Sequence, residues 1–444
     1  MLTIQFGQCG NQLGHTLFSK ISSDLECTNT GISYNANYQY SEDTFNKWFN
    51  GISKHNKWLP RAVLIDTEEK VISKIYKDRS TPWTYSKESI ICQAGGGCAN
   101  NWAFGYLRKG PELSSLVLDC VRQILDVTDY FEGFLLLLSS AGGTGSGIGS
   151  FIAQTLREEY RTKPIITTTI LPFSFGEVCT QKYNTLLTLA KLYNQCDINI
   201  LIENDQVHNI STNLLKKSNT TLQDINAIIS EKLLAIFQPL NDTNMNSLLS
   251  QIASHPSYKL ATIKSTPHVS TISAEYEPVC NWNSYVHHLK QTLRIPNLNM
   301  QLTNAELKAP TTSFSSSTHY AYACSVSNIL ITRGLTTDND SIVTSDFKEK
   351  NLYANWNTID WFSHLHQNRK ILNHDKFLAL LTNNSQISNP LDLLLDKTWN
   401  SYVHAAFLHQ YKQYGLEEDD FLQAFALLEN VVKEYKELVA HMNK

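Results

Sequence analysis

Five short apolar runs, each followed by an amphipathic stretch, constrain the fold of the first half of this chain more than any other feature. Segments such as residues 113–125 and 151–160 repeat apolar residues at helical spacing. Continuous apolar strands that alternate with helices predict a mostly parallel sheet covered by helices on both faces. Ligands of such sheets bind beyond the carboxyl ends of the strands. The predicted strands are residues 3–6, 62–65, 134–138, 165–171 and 199–202.

The rest of the chain divides into three further predicted parts. After the α/β part, residues 1–205, comes a connecting segment, 206–257, that contains a long buried helix at 225–237. Residues 258–384 mix strands and helices, and residues 385–444 have a helical pattern. Within these last two parts we predict strands at 260–264, 321–332 and 377–381, a surface loop at 311–318, and helices at 391–411 and 417–438 joined at Gly415.

Composition excludes several classes of protein. Hydrophobic residues make up 42% of the chain and charged residues 18%, and the net charge of -4 gives no reason to expect nucleic acid as a partner. The best apolar run, residues 133–138, is far shorter than the ~18 residues of a membrane span. The first residues lack the basic and apolar blocks of a signal peptide. Nine cysteines without a Cys-x-x-Cys pair indicate neither a disulfide framework nor a zinc site. We therefore expect a cytosolic protein with no membrane partner.

The strongest local signal is the sequence Ala-Gly-Gly-Thr-Gly-Ser-Gly at residues 141–147, directly after a predicted strand and before a helix. Glycines let the backbone approach phosphate oxygens, and amide N–H groups at a helix N-terminus form a cradle for them. The hydroxyls of Thr144 and Ser146 add donors. The segment lacks the lysine of a Walker A loop, and the dinucleotide pattern would need glycine at Ile148. A flexible turn is the alternative, and a phosphate site is the favoured interpretation.

Two more loops and a pair of carboxylates support that interpretation. Residues 95–102 contain three glycines and two asparagines, and residues 7–12 lie between the first strand and the first helix. Either loop alone is weak evidence, whereas three such loops in one α/β half, two of them clearly at strand ends, are much stronger. Asp66 and Glu68 follow the second strand. Their carboxylates could hold Mg²⁺ or could interact only with a helix N-terminus, and both alternatives stay open here.

These loops together resemble those of the tubulin family. Residues 141–147 match the family signature, and residues 7–12 and 100–103 match two further loops in the same order. The likeness covers nearly the whole chain. Within the family it is most similar to the δ-tubulin branch, especially at residues 176–184 and 408–421.

The resemblance implies a fold and a ligand. The fold is α/β and tubulin-like, with a parallel-sheet GTP-binding domain (1–205), a central helix and connecting segment (206–257), an α+β intermediate domain (258–384) and a C-terminal helical hairpin (385–444). The ligand is GTP or GDP with Mg²⁺, the metal lying toward Glu68 and Gln8. The implied nucleotide-site residues are Gln8, Cys9, Gln12, Glu68, Ala99, Asn100, Ser139, Gly142, Gly143, Thr144, Gly145, Glu177, Asn204, Leu222 and Asn226.

Three departures from the family pattern affect the expected chemistry. Ala99 stands where a glycine is common, and Leu222 stands where an aromatic side chain stacks on guanine. The helix that α-tubulin offers to its neighbour's nucleotide carries acidic residues, whereas the same positions here hold Asn244 and Ser247. A shifted register would bring Asp242 there instead. We therefore assign no catalytic residue and expect any GTPase activity to be weak.

The implied function is that of a GTP-binding cytoskeletal protein. The δ-like resemblance implies support of centriole and basal-body triplet microtubules and of cilium formation, with ε-tubulin, α/β-tubulin and centriolar proteins as partners. The alternative is a polymer-activated GTPase tubulin of another class, γ-, ε- or divergent α/β-like. A dinucleotide-dependent oxidoreductase fails on Ile148, and on Asn204 and Asn226, whose amides suit guanine.

Overall fold

A computed structural model of the protein describes residues 1–27, 29, 31–53, 55–78, 80–92, 96–174, 178–240, 244–268, 281–294, 322–336, 341–356, 361–372 and 374–440. Its strands are β1 (Leu2–Phe6), β2 (Phe49–Ile52), β3 (Trp58–Pro60), β4 (Ala62–Asp66), β5 (Ile90–Cys92), β6 (Phe134–Ser139), β7 (Ile165–Leu171), β8 (Ile198–Glu203), β9 (Leu260–Thr266), β10 (Ser325–Gly334), β11 (Phe362–Gln367) and β12 (Lys376–Asn384).

The α-helices are α1 (Gly7–Glu26), α2 (Tyr34–Trp48), α3 (Glu69–Tyr76), α4 (Trp102–Phe104), α5 (Gly110–Asp126), α6 (Gly149–Glu159), α7 (Gln181–Gln195), α8 (Asn204–Asn209), α9 (Leu222–Phe237), α10 (Met245–Ile252), α11 (Trp282–Gln291), α12 (Ser388–Val403), α13 (His409–Lys412) and α14 (Glu418–Ala440). Three π-helical turns, Gly105–Lys109, Thr144–Ile148 and Ile210–Leu214, continue or precede α-helices.

Ten of these strands form one sheet in the order β11-β10-β12-β9-β8-β7-β6-β1-β4-β5. All neighbours from β5 to β9 pair in parallel, whereas β12 is antiparallel to both β9 and β10. The strands β2 and β3 form a separate antiparallel pair. The predicted mostly parallel α/β sheet is therefore confirmed.

The apolar runs form strands because both faces of the sheet are covered. On β6, Leu135 and Leu137 pack in one core with residues of α1 and α9, whereas Leu136 and Leu138 pack in a second core with residues of α5 and α6. Successive side chains of a strand point to opposite faces, so a strand buried on both sides needs an unbroken apolar run. The five strands predicted in the first half are all present.

The C-terminal part differs from the prediction at two places. The strand predicted from residue 321 begins at Ser325. The helix predicted over 391–411 ends at Val403, because Ala405 and Phe407 adopt left-handed φ angles of 51° and 60°. The α12 and α14 helices pack on each other and on α7, which confirms the helical hairpin. The loop predicted at 311–318 lies outside the described residues. Within the described chain, no helix has the length and apolar character needed to cross a membrane.

Candidate functional site

The glycine-rich loop follows β6 and enters α6 through the π-helical turn Thr144–Ile148. Such turns are rare and occur frequently at functional sites. The Ser146 hydroxyl donates to the Gly142 carbonyl oxygen, and the Ser150 hydroxyl donates to the Ser146 carbonyl oxygen at 2.7 Å. These bonds fix the loop at the carboxyl edge of the sheet, where the sequence predicted a ligand.

Gly142 and Gly143 differ in how closely other atoms surround them. A β-carbon built on Gly143 would lie 2.6 Å from the Cys98 carbonyl oxygen and 2.7 Å from the Asn101 nitrogen. The glycine is therefore required where the loop packs against the second loop, residues 96–101. A β-carbon on Gly142 would have the Asn100 Oδ1 atom, 3.7 Å away, as its nearest neighbour. The open side of the glycine-rich loop is thus at Gly142.

The ends of β1 and β4 meet the same loop. A β-carbon on Gly7, which has a φ angle of 64°, would lie 3.2 Å from the Gly145 nitrogen. The hydroxyls of Thr144 and Thr67 are 2.8 Å apart. Ser139, the last residue of β6, accepts a hydrogen bond from the Ala141 N–H at 3.3 Å. Three segments predicted separately from the sequence therefore form one cluster.

The second loop contains two consecutive residues in the left-handed region. Ala99 has a φ angle of 48° and Asn100 one of 51°, and both side chains are exposed. This conformation costs a residue with a β-carbon roughly 1–2 kcal/mol, which explains why glycine is common at such positions. The Asn100 carbonyl oxygen accepts hydrogen bonds from the Asn184 side chain at 2.8 Å and from the Thr180 hydroxyl at 3.0 Å. These bonds hold the strained loop in place.

The two predicted carboxylates have different surroundings. Asp66 is only 3% exposed, and its Oδ1 accepts hydrogen bonds from the N–H groups of Thr67 at 2.8 Å and Glu68 at 3.3 Å. Burial raises the pKa of Asp66 to about 6. The Glu68 side chain is exposed, with its Oε1 next to Gly97 of the second loop. Glu68 is therefore the carboxylate that can face a ligand.

A Mg²⁺ ion fits this arrangement. Mg²⁺ usually binds proteins through one or two carboxylates and takes its other ligands from phosphates and water. Among the described residues there is no group of three or more His, Cys, Asp or Glu side chains that could hold a metal alone. Glu68 supplies one exposed carboxylate at the carboxyl edge of the sheet, and the side chain of Gln8, exposed at the start of α1, lies on that edge too.

Two asparagines lie farther along the same edge. Asn204 begins α8 directly after β8, and Asn226 is on α9, which contacts α8. Asn226 is only 6% exposed. Neither side-chain amide has a hydrogen bond to another residue within the part of the chain that the structure describes. A primary amide both donates and accepts, so both side chains can bind the polar edge of a base.

The remaining predicted positions lie on α9, on α1 or outside the described chain. Leu222 begins α9 and is 55% exposed, so it offers an apolar surface without an aromatic ring. Cys9 and Gln12 are partly buried on α1, which packs on α9. Burial raises the pKa of the Cys9 thiol to about 12, which keeps it neutral. Glu177 lies outside the described residues, as does Asp242.

Comparison with known proteins identifies the family. A model of the Tubulin/FtsZ family GTPase domain matches residues 1–212. The tubulin delta chain of Canis lupus familiaris is 33% identical over 458 residues, which cover 98% of this chain and 99% of the relative. The chain belongs to the tubulin family. The tubulin delta chain of Homo sapiens is 31% identical over 463 residues, with the same two shares, 98% and 99%. The tubulin gamma chain of Candida glabrata is 32% identical over 277 residues, 60% of this chain and 58% of the relative.

Family membership confirms the resemblance drawn from the loops. The tubulin GTPase domain carries GTP or GDP, so this member is a GTP-binding cytoskeletal protein. The matched region spans the glycine-rich loop, the second loop and Asn204, whereas Leu222 and Asn226 follow it.

Sequence reasoning missed two threonines that shape this tubulin site. Thr67 pairs with Thr144, although it stands between the two carboxylates that the sequence singled out. Thr180 supports the second loop from the residue before α7. The position of Thr67 directly after a predicted strand could have identified it as a site residue. No local pattern marks Thr180, because its partner Asn100 is distant in the sequence.

Proposed function

We propose that this chain is a δ-tubulin-like protein that supports the assembly of triplet microtubules in centrioles and basal bodies, and thereby cilium formation. The observation that carries the proposal is the likeness to tubulin delta chains, 33% identical over 98% of the chain. The gamma chain match covers only 60% of the chain, and a tubulin beta-6 chain of Gallus gallus that also covers 98% is only 24% identical. On this proposal its partners are α/β-tubulin, ε-tubulin and centriolar proteins, and it is located at centrioles.

The proposed nucleotide site uses the cluster at the carboxyl edge. The phosphates lie at residues 142–145 and 99–100, where the glycine-rich loop is open at Gly142. The guanine edge binds Asn204 and Asn226, beside Leu222, Cys9 and Gln12. Glu177 is proposed at the ribose. Ser139 supports the glycine-rich loop from the end of β6.

Mg²⁺ is proposed between the phosphates and Glu68, near Gln8. When bound, the ion neutralises phosphate charge at the edge where Glu68 and the glycine-rich loop meet. On this proposal Glu68→Gln binds nucleotide more weakly than the wild type when Mg²⁺ is present, and equally well when EDTA removes the ion. Glu69→Gln is the matched control, because Glu69 is also exposed but bonds to Ser73 within its own helix at 3.3 Å. If both variants respond to Mg²⁺ and EDTA in the same way, Glu68 does not belong to the metal site.

Weak hydrolysis follows from the surface of α10. The Asn244 side chain caps this helix by accepting from the Ser247 N–H at 2.9 Å, and α10 contains no acidic residue. A general base typically contributes ~10²–10⁴ to the rate, so a contact through α10 activates a neighbour's GTP poorly. Asp242 is outside the described residues.

Phosphate release from assemblies with α/β-tubulin tests this assignment. Ser247→Glu should raise the rate, whereas Ser250→Glu, which adds the same charge elsewhere on the exposed part of α10, should not. Fast release by the wild type that disappears in Asp242→Ala would instead favour the polymer-activated GTPase and make Asp242 the acid.

Removal of the protein from centriole-forming cells tests the cellular role. We expect incomplete triplets in electron micrographs, restored by the wild-type chain and not by a variant without nucleotide. Normal triplets in cells without the protein would contradict the δ-like assignment and leave the GTP site intact.

A further inference from the structure

The side chain of Asn184, on α7, joins both phosphate-facing loops. It is completely buried. Its Nδ2 donates to the carbonyl oxygens of Asn100 at 2.8 Å and Ala141 at 2.7 Å. Its Oδ1 accepts from the Trp102 N–H at 2.9 Å and from the Tyr411 hydroxyl at 2.7 Å. An amide offers two donors and two acceptor lone pairs, so all four are used and none is left for a ligand.

Tyr411 connects this amide to the C-terminal helices. The residue belongs to α13 and is completely buried. Its hydroxyl lies 2.7 Å from Asn184 Oδ1 and 3.2 Å from the Thr180 carbonyl oxygen, so its single proton is shared between two acceptors. The Tyr411 ring packs edge-on against Tyr183 and Phe421, with centroids 5.6 and 5.5 Å away.

Two further contacts join the second loop and the adjoining helix α4 to the same C-terminal segment. The Asn101 Nδ2 donates to the Gln410 carbonyl oxygen at 2.9 Å. The rings of Phe104 and Tyr414 have centroids 4.9 Å apart. Residues 408–414 therefore contact the second loop at Asn101 and α4 at Phe104, although about 300 residues of chain separate them in the sequence.

We infer that Asn184 and Tyr411 are positioning residues that fix the spacing of the two phosphate-facing loops, so that retention of nucleotide depends on the C-terminal helical segment. The inference rests on the nucleotide site proposed above. Two loops held at a fixed distance do not have to be ordered when phosphate binds, which favours binding. Coupling between binding sites is reciprocal, so a protein partner that shifts residues 408–414 changes nucleotide affinity, and bound nucleotide changes the affinity of that partner equally.

Tyr411→Phe tests the inference because it removes the hydroxyl and keeps the ring packing. The matched control is Tyr435→Phe on α14. Tyr435 is also completely buried, and its hydroxyl lies 2.8 Å from Asn383 Oδ1 and 3.3 Å from the Leu260 carbonyl oxygen, away from the loops. The Tyr435 hydroxyl also accepts a hydrogen bond from the Leu260 N–H at 3.1 Å, so we expect Tyr435→Phe to lose at least as much thermal stability as Tyr411→Phe. Only Tyr411→Phe should speed GDP dissociation, by about 3- to 10-fold for one lost hydrogen bond.

Hydrogen exchange of the Trp102 amide gives a second measurement on the same proteins. The amide donates to Asn184, so its exchange should rise in Tyr411→Phe and stay unchanged in Tyr435→Phe. Equal changes of GDP dissociation in both variants, or none in either, would overturn the inference and leave the nucleotide site standing. Wild-type protein that binds no guanine nucleotide would overturn the site and the inference together.

Discussion

The loops proposed to bind the phosphates and the residues proposed to bind the base are built in different ways. In the loops, several polar groups bond to the protein. The Asn184 amide donates to one carbonyl oxygen of each loop, and the hydroxyls of Thr67 and Thr144 pair. At the base end, Asn204 and Asn226 have no partner in the described chain, and Leu222 is exposed. Rigid loops supply affinity without an ordering cost. Amides without partners supply selectivity, because they bind only a base with matching groups.

Gly142→Val should have the largest effect, because it fills the open side of the rigid loops. A β-carbon there meets only Asn100 Oδ1, at 3.7 Å, so the variant should fold. We expect the affinity for GDP to fall about 100-fold or more, which corresponds to ~3 kcal/mol. Calorimetric titration measures it.

Gly143→Ala is the matched control for this change. Its β-carbon would lie 2.6 Å from the Cys98 carbonyl oxygen, so it should lower the thermal stability of the nucleotide-free protein as well as binding. Tight GDP binding by Gly142→Val would show that the phosphates lie elsewhere.

Asn226→Ala should remove selectivity at the base end. The loss of two hydrogen bonds to guanine should weaken GTP binding by about 10- to 100-fold and leave the weaker binding of ATP unchanged. The thermal stability of the nucleotide-free protein should change little, because the amide has no partner in the described chain. Competition between GTP and ATP measures the ratio of the two binding affinities. An unchanged preference would exclude Asn226 from the base.

Leu222→Tyr should add stacking energy at the proposed base end, where the wild type has no aromatic ring. An aromatic ring stacked on a base contributes roughly 0.5–1.5 kcal/mol beyond its buried area, so we expect GTP to bind about 2- to 10-fold more tightly. Leu222 is 55% exposed, so the larger side chain should not disturb the core. Affinities of wild type and variant for GTP and GDP provide the measurement. Weaker binding would place Leu222 away from the base.

Ala99→Gly should have the smallest effect, because it relaxes one strained residue of the rigid loop. The left-handed φ of 48° favours glycine, while the unfolded chain gains entropy from the same change. The free energy of unfolding should rise by about 1 kcal/mol or less. Denaturant unfolding of the nucleotide-free protein measures this free energy. The control is Ala103→Gly, which lies in a helix and should lower the free energy of unfolding. A loss of stability in Ala99→Gly would mean that the loop is not strained at this residue.

The sequence predicted those features that depend on local pattern. Strands such as β6 were visible because burial on both faces requires a continuous apolar run. The glycine-rich loop was visible because a backbone that approaches phosphate excludes side chains. The position of the loop beyond a strand then followed from the rule for open parallel sheets.

Features that depend on contacts between distant residues were not visible. The specific need for glycine at 143 comes from Cys98 and Asn101, and nothing near Gly143 in the sequence indicates that contact. The break after α12 was missed because neither Ala405 nor Phe407 is a residue that normally marks a left-handed turn. Asn184 lies in the range 176–184 that resembles the δ-tubulin branch, but its four hydrogen bonds are a property of the folded chain alone.

The position of the last strand also determines the order in which the sheet can close during synthesis. β12 lies between β9 and β10, and it is the last strand to leave the ribosome. While the ribosome makes the chain from Gly334 to Asn384, β9 and β10 each have an unpaired edge. Synthesis at about 5–20 residues per second makes this interval several seconds long. Unpaired strand edges can pair with other chains. Slower translation of this stretch therefore lengthens the interval in which a nascent chain can aggregate.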